Sequence, residues 1–158
     1  MTPRLRGPFK GQDDYPYHPH KGLVAAANTA LVLEAPLLLT GEPGCGKTDF
    51  AWAAAKALGR QEPRCCYVRS DTRARDLLYH YDAVRRFAHV QLQNKDAAFP
   101  HQYIELLPLG EALRSGKQEV VLIDEIDKAP RDLPNDLLWE LDRGHFEITE
   151  IGPTDTPP

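Results

Sequence analysis

Cysteine is scarce and unpatterned. Cys45, Cys65 and Cys66 are the only three, and no C-x-x-C pair occurs. An odd count without framework spacing excludes a disulfide scaffold or a zinc finger and predicts a reduced, cytoplasmic chain. Positive charge is not in excess: 19 Lys and Arg face 23 Asp and Glu, for a net charge of -4. This balance argues against a dedicated nucleic-acid-binding module. Uninterrupted apolar runs are short. The longest apolar stretch, Leu23 to Leu39, contains Asn28, Thr29, Glu34 and Pro36, which makes it a helix, a break and a strand rather than a membrane span. The opening "MTPRLRGPFKG" lacks the apolar core of a signal peptide, and no internal repeat is visible. A chain of 158 residues with 42% hydrophobic and 27% charged residues has the make-up of one soluble domain with a real core.

Residues 1–19, rich in proline and glycine, read as an extended leader; residues 20–151 read as the folded domain, and 152–158 as an unstructured tail. Helical spacing and alanine content predict a helix over 20–34, which Pro36 ends. "PLLLT" is an unbroken apolar run, as in a strand buried on both faces. "TDFAWAAAKALG" predicts a helix closed by Gly59, and "RCCYVRS" a second strand. "DTRARDLLYHY" predicts a helix or helical turn, while 82–103 carries only irregular or short helical signals. "PLGEALRSG" predicts a helix between Pro108 and Gly116, "EVVLID" a buried strand, and "DLPNDLLWELDRG" a helix with Leu133, Leu137, Leu138 and Leu141 on one face. "HFEIT" alternates as a half-exposed strand does. Helices alternating with short strands predict an α/β sandwich with a mostly parallel sheet.

Between the first predicted strand and its helix lies "GEPGCGKT". Gly41, Gly46, Lys47 and Thr48 match G-x-x-x-x-G-K-[ST] in the strand–loop–helix setting that gives the pattern meaning. Several backbone N–H groups must converge on a phosphate, so the loop has to curl, and glycines permit the curl. The cradle comprises Gly41, Glu42, Pro43, Gly44, Cys45, Gly46, Lys47, Thr48 and Asp49. Lys47 supplies a mobile charge for the outer phosphates, the helix N-terminus adds its dipole, and the Thr48 hydroxyl is a ligand for Mg²⁺. The second requirement is an acid at another strand end. In "VVLIDEIDKAP", Asp124 follows four apolar residues and holds the metal; Glu125 is placed to activate water. Catalysis is therefore assigned to Glu125 and Lys47, with metal ligation by Thr48 and Asp124.

The stretches "PLLLTGEPGCGKT", "SDTRARDLLYHYDAVRRF" and "VVLIDEIDKAPRDLPNDLLWELDRGHFEI" resemble the MoxR-like AAA+ ATPases over most of residues 20–150. The resemblance implies a P-loop NTPase fold, a three-layer α/β/α sandwich with five strands, in which the fourth lies between the first and third. It implies ATP and Mg²⁺ as cofactors, ATP hydrolysis, a ring-shaped oligomer and a chaperone-like role on a protein client. No segment here resembles the family's sensor strand, arginine finger or helical lid. The expectation is an incomplete AAA+ core, working as a homo-oligomer or with a chain that supplies those parts. In such a core "PLLLT" and "VVLID" either pair directly or keep unpaired edges. A nucleotide-binding interaction protein with little or no hydrolysis is the alternative reading.

Other residues carry weaker signals. His18 and His20 lack the companions a metal needs. Tyr15 and Tyr17 could line an adenine pocket or simply pack. Cys45 could be redox-sensitive, or could occupy a position where only the backbone matters. Arg69, Arg73, Arg75, Arg85 and Arg86 read as a solvated face interleaved with Asp71, Asp76 and Asp82.

Overall fold

The computed structural model describes Leu5, Phe9–Lys10 and residues 16–151. The tail predicted at 152–158 and much of the leader predicted at 1–19, Tyr15 included, lie outside the described residues. The chain divides into two compact units, one of residues 1–65 and 118–124, the other of residues 66–117 and 125–158.

The first unit begins with an antiparallel pair, β1 (Phe9–Lys10) and β2 (Pro16–Tyr17), with Phe9 opposite Tyr17. Helix α1 (Lys21–Leu33) follows, its first turn capped by the His20 ring, whose Nδ1 accepts from the Gly22 amide at 3.1 Å. Asn28, on α1, holds Leu5 as a strand neighbour would. Its Oδ1 accepts from the Leu5 amide at 2.7 Å, and its Nδ2 donates to the Leu5 carbonyl at 3.3 Å. Helix α2 (Lys47–Ala57) presents Phe50, Ala53 and Ala54 to a core shared with Leu5 and Ala27. Small alanines let the helix approach closely, and Tyr17, Leu23, Leu39 and Leu58 fill the margin. Strand β3 (Arg64–Tyr67) pairs with β6 (Val121–Asp124). The Arg64 amide donates to the Val120 carbonyl at 2.9 Å, and Arg64 forms an ion pair with Glu119. This is the parallel element of a P-loop α/β fold that is small and incomplete.

"PLLLT" departs from its prediction. Residues 35–40 form no strand, and Leu38 is 71% exposed. Neither arrangement anticipated for this run and β6 is found: the run is not a strand, β6 pairs with β3, and among the described residues no strand pairs with Leu37–Leu39. Without a ladder partner the run has no second face to bury, and Leu39 alone joins the core margin. The six described strands form three two-stranded sheets, not the five-stranded sheet implied by resemblance.

In the second unit a single helical turn, α3 (Arg75–Leu78), runs straight into β4 (Tyr79–Tyr81). Strand β4 pairs antiparallel with β5 (Ile104–Leu106), placing Tyr79 opposite Leu106. Between them lie α4 (Ala83–Gln91) and two short 3-10 turns. Helix α5 (Pro108–Ser115) packs on α3 through Gly110, which sits directly over the Leu78 carbonyl. Helix α6 (Leu133–Arg143) buries Leu133 and Leu137, whereas Leu138 is exposed. "HFEIT" keeps its alternation, with Phe146 and Ile148 half-buried, but pairs with none of the described strands and is not itself a strand. Phe146 stacks instead on Tyr79, with ring centroids 6.2 Å apart. Tyr79 also donates to Glu150 Oε2 at 2.8 Å, and Arg75 Nη1 donates to Oε1 at 2.9 Å. Burial pushes the Glu150 carboxyl up, but the hydrogen bonds from Tyr79, its own backbone and Thr149, with the Arg75 charge, outweigh it and hold the pKa below the usual value.

Candidate functional site

The loop 41–46 turns through backbone conformations that favour glycine: φ is +154° at Gly41, +77° at Gly44 and +80° at Gly46. Gly46 is the N-cap of α2 and brings no side chain to cap it. The first intrahelical bond runs from the Phe50 amide to the Gly46 carbonyl, so α2 itself offers no acceptor to the amides of Lys47, Thr48 and Asp49. These three donors and the helix dipole face the same point. The cradle is also sterically guarded. A Cβ on Gly46 would lie 3.1 Å from the Tyr17 ring, and one on Gly41 would lie 3.1 Å from Cys45 Sγ.

Lys47 curls back over its own loop. Its Nζ donates to the carbonyls of Gly41 and Glu42, each at 2.8 Å, and lies 3.7 Å from Cys45 Sγ. The ammonium is thus folded onto the loop's own carbonyls. Thr48 Oγ1 donates to Asp124 Oδ2 at 3.2 Å. Residues 76 positions apart in the chain are brought together because α2 packs against β6. A hydroxyl beside a carboxylate at a strand end is a donor set for a hard cation. Mg²⁺ keeps most of its shell as water and phosphate oxygen and takes only one or two protein ligands. Among the described residues no group of three or more His, Cys, Asp or Glu could hold a metal by itself, and the Thr48–Asp124 pair fits a magnesium that shares its shell with phosphates.

A model of the AAA domain (dynein-related subfamily) matches residues 36–157. The chain belongs to this family. No curated protein and no solved structure matches it. The loop and the strand-end acid of this AAA domain therefore stand in a nucleotide-binding AAA+ ATPase.

Tyr17 borders the cradle of the AAA domain from β2. Its ring lies 6.0 Å from that of Phe50. Burial, followed by the charges of Asp49 and Cys45, raises the Tyr17 pKa, so it remains a neutral phenol. Burial, then the Asp124 charge, likewise raises the Cys65 thiol. Glu125, next in the chain after Asp124, belongs to the second unit. It adopts a left-handed backbone, φ +59°, and pairs with Lys128 Nζ at 2.6 Å. A cavity of about 570 Å³, lined by Trp52, Lys56, Arg60, Glu62, Arg64 and Glu119, had no signal in the sequence. It lies at the opposite end of β6 from Asp124, and charged residues on its wall are already paired, Arg64 with Glu119 and Arg60 with Gln118. No described helix is long and apolar enough to cross a membrane.

Proposed function

We propose that this AAA domain binds ATP with Mg²⁺ and hydrolyses it to ADP and phosphate, as a MoxR-like ATPase that remodels a protein partner. In this reading it works in the cytoplasm as an oligomer. The juxtaposition of Thr48 and Asp124 beside a glycine-built helix N-terminus is the observation that carries the reading. The amides of Gly44, Gly46, Lys47, Thr48 and Asp49 would bind phosphate oxygens, and Lys47 would exchange its loop carbonyls for the outer phosphates. Thr48 and Asp124 would hold the cation, which when bound neutralises charge on the phosphate chain. Glu125 is assigned to orienting and deprotonating the attacking water, a task that requires its carboxylate to leave Lys128.

Thermal unfolding with and without Mg²⁺–ATP tests binding. Nucleotide at one hundred times its dissociation constant adds about 2.7 kcal/mol to the folded state, a rise of roughly 5–10 °C for a domain of this size. Lys47→Ala should remove the rise. Glu125→Gln should keep it and abolish phosphate release. A wild-type protein whose melting temperature ignores saturating Mg²⁺–ATP would overturn the proposal. Binding without turnover, across protein concentrations, would favour an interaction protein instead.

A further inference from the structure

Gly46 has a neighbour on the side where any other residue would carry its side chain. A Cβ there would stand 3.1 Å from Tyr17 Cε2 and 3.8 Å from the Tyr17 hydroxyl oxygen, so the phenol ring fills that space. The same ring lies 6.0 Å from that of Phe50, centroid to centroid, at a tilt of 49°. Gly46 and Phe50 are joined by the first hydrogen bond of α2, from the Phe50 amide to the Gly46 carbonyl at 3.1 Å. They are four residues apart and share one face of the helix. One aromatic ring therefore spans the opening turn of α2, from the loop's last glycine to the first core residue.

The ring is itself held in place. Tyr17 sits in β2 opposite Phe9 of β1, and α2 packs against both strands. Its side chain packs on the core of Leu5, Ala27, Phe50, Ala53 and Ala54. Leu5 is fixed in turn by its two hydrogen bonds to Asn28. Among the described residues the Tyr17 hydroxyl makes no hydrogen bond, so the contact with α2 is made by the ring.

Gly46 is where the loop becomes helix, at φ +80° and ψ +24°. A glycine moves between left- and right-handed backbone at little cost. Unbraced, it would let the amides of Lys47, Thr48 and Asp49 tilt against the rest of the loop. Those amides hold an anion only while they converge on it. A ring seated against Gly46 and anchored one turn further along restricts that tilt, and an arrangement fixed beforehand needs less ordering when the ligand arrives. We propose that Tyr17 is a positioning residue for the phosphate cradle: its ring holds Gly46 in the left-handed conformation that keeps the α2 amides converged on a polyphosphate. The inference rests on reading the cradle as a triphosphate site, and it assigns Tyr17 to the phosphates through the backbone rather than to the base.

Titration calorimetry of the full chain tests it with two ligands, Mg²⁺–ATP and Mg²⁺–tripolyphosphate, the second having neither base nor sugar. Each variant is measured well below its own melting temperature, where a purely structural role would leave affinity unchanged. Tyr17→Met keeps apolar volume without a rigid ring, and Tyr17→Leu is the second such variant. Both should weaken the two ligands by the same factor, about fivefold or more, and Tyr17→Phe should restore the wild-type affinity. Amide exchange followed by NMR should speed up at Phe50 in Tyr17→Met and stay unchanged at Ala54 and Ala55. Loss of ATP affinity alone would overturn the proposal and make Tyr17 a contact of the base. A loss in Tyr17→Phe as large as in Tyr17→Met would overturn it in favour of a hydrogen bond from the hydroxyl to phosphate. Affinities that ignore both ring-removing variants would remove this inference and leave the triphosphate reading standing. A wild-type chain that binds neither ligand would remove that reading and the inference with it.

Discussion

Replacing Gly110 with alanine should destabilise the fold, although in most helices that change does the opposite. Alanine is favoured over glycine by about 1 kcal/mol in a helix interior, and Gly110 lies within α5 at an ordinary helical φ. Its surroundings reverse the sign. A Cβ there would stand 2.8 Å from the Leu78 carbonyl carbon and 3.2 Å from its Cα, and closer still to the oxygen. The obstacle is backbone, so no rotamer change relieves it. Helix α5 must retreat from α3, which strains the bond from the Leu107 amide to that same Leu78 carbonyl, 2.9 Å long, and loosens buried Leu77, Leu78 and Leu109. Losing one hydrogen bond costs about 1 kcal/mol, and overpacking a tight contact about 1–3 kcal/mol. After subtracting the propensity gain, the net loss is about 1–3 kcal/mol. Urea unfolding should show a lower midpoint with an unchanged slope. A Gly110→Ala protein as stable as the wild type, or more so, would refute the close approach of α5 to α3.

Asp124→Asn should leave metal-free nucleotide binding nearly intact and remove most of the gain from Mg²⁺, measured by titrating nucleotide with and without chelator; Thr48→Val should do the same more weakly. Because the Glu150 pKa is lowered in the folded state, its stabilising effect is fully present above its unfolded value near 4.5 and is lost as pH falls through the folded value. Glu150→Gln should therefore flatten the acid limb of a stability–pH curve while lowering stability at neutral pH, by urea unfolding at each pH. Iodoacetamide should modify exposed Cys45 well before Cys65, whose raised pKa keeps it a thiol, and before buried Cys66. Mass spectrometry of the labelled peptides follows the order, and Mg²⁺–ATP should slow Cys45 alone.

Local signals predicted local structure well. Glycine stops were readable: Gly116 and Gly144 end α5 and α6 in left-handed conformations, φ +62° and +66°. The proline at the start of α5 and the alanine-rich stretch of α2 were equally plain. The candidate site was legible for the same reason, since a phosphate loop is a contiguous string. Strands fared worse, because a strand needs a partner that its own residues do not name. "PLLLT" had the composition of a buried strand and found no ladder, while "YHY" and "IEL", three residues each, found one another across α4. The Asn28–Leu5 contact and the seating of Tyr17 against Gly46 depend on distant groups and left no periodic trace.

The loop of this AAA domain keeps its lysine occupied with its own carbonyls. A polyanion drawing on that side chain would have to displace both carbonyls. The same latch holds the curl of the loop in advance, so less ordering is required on binding.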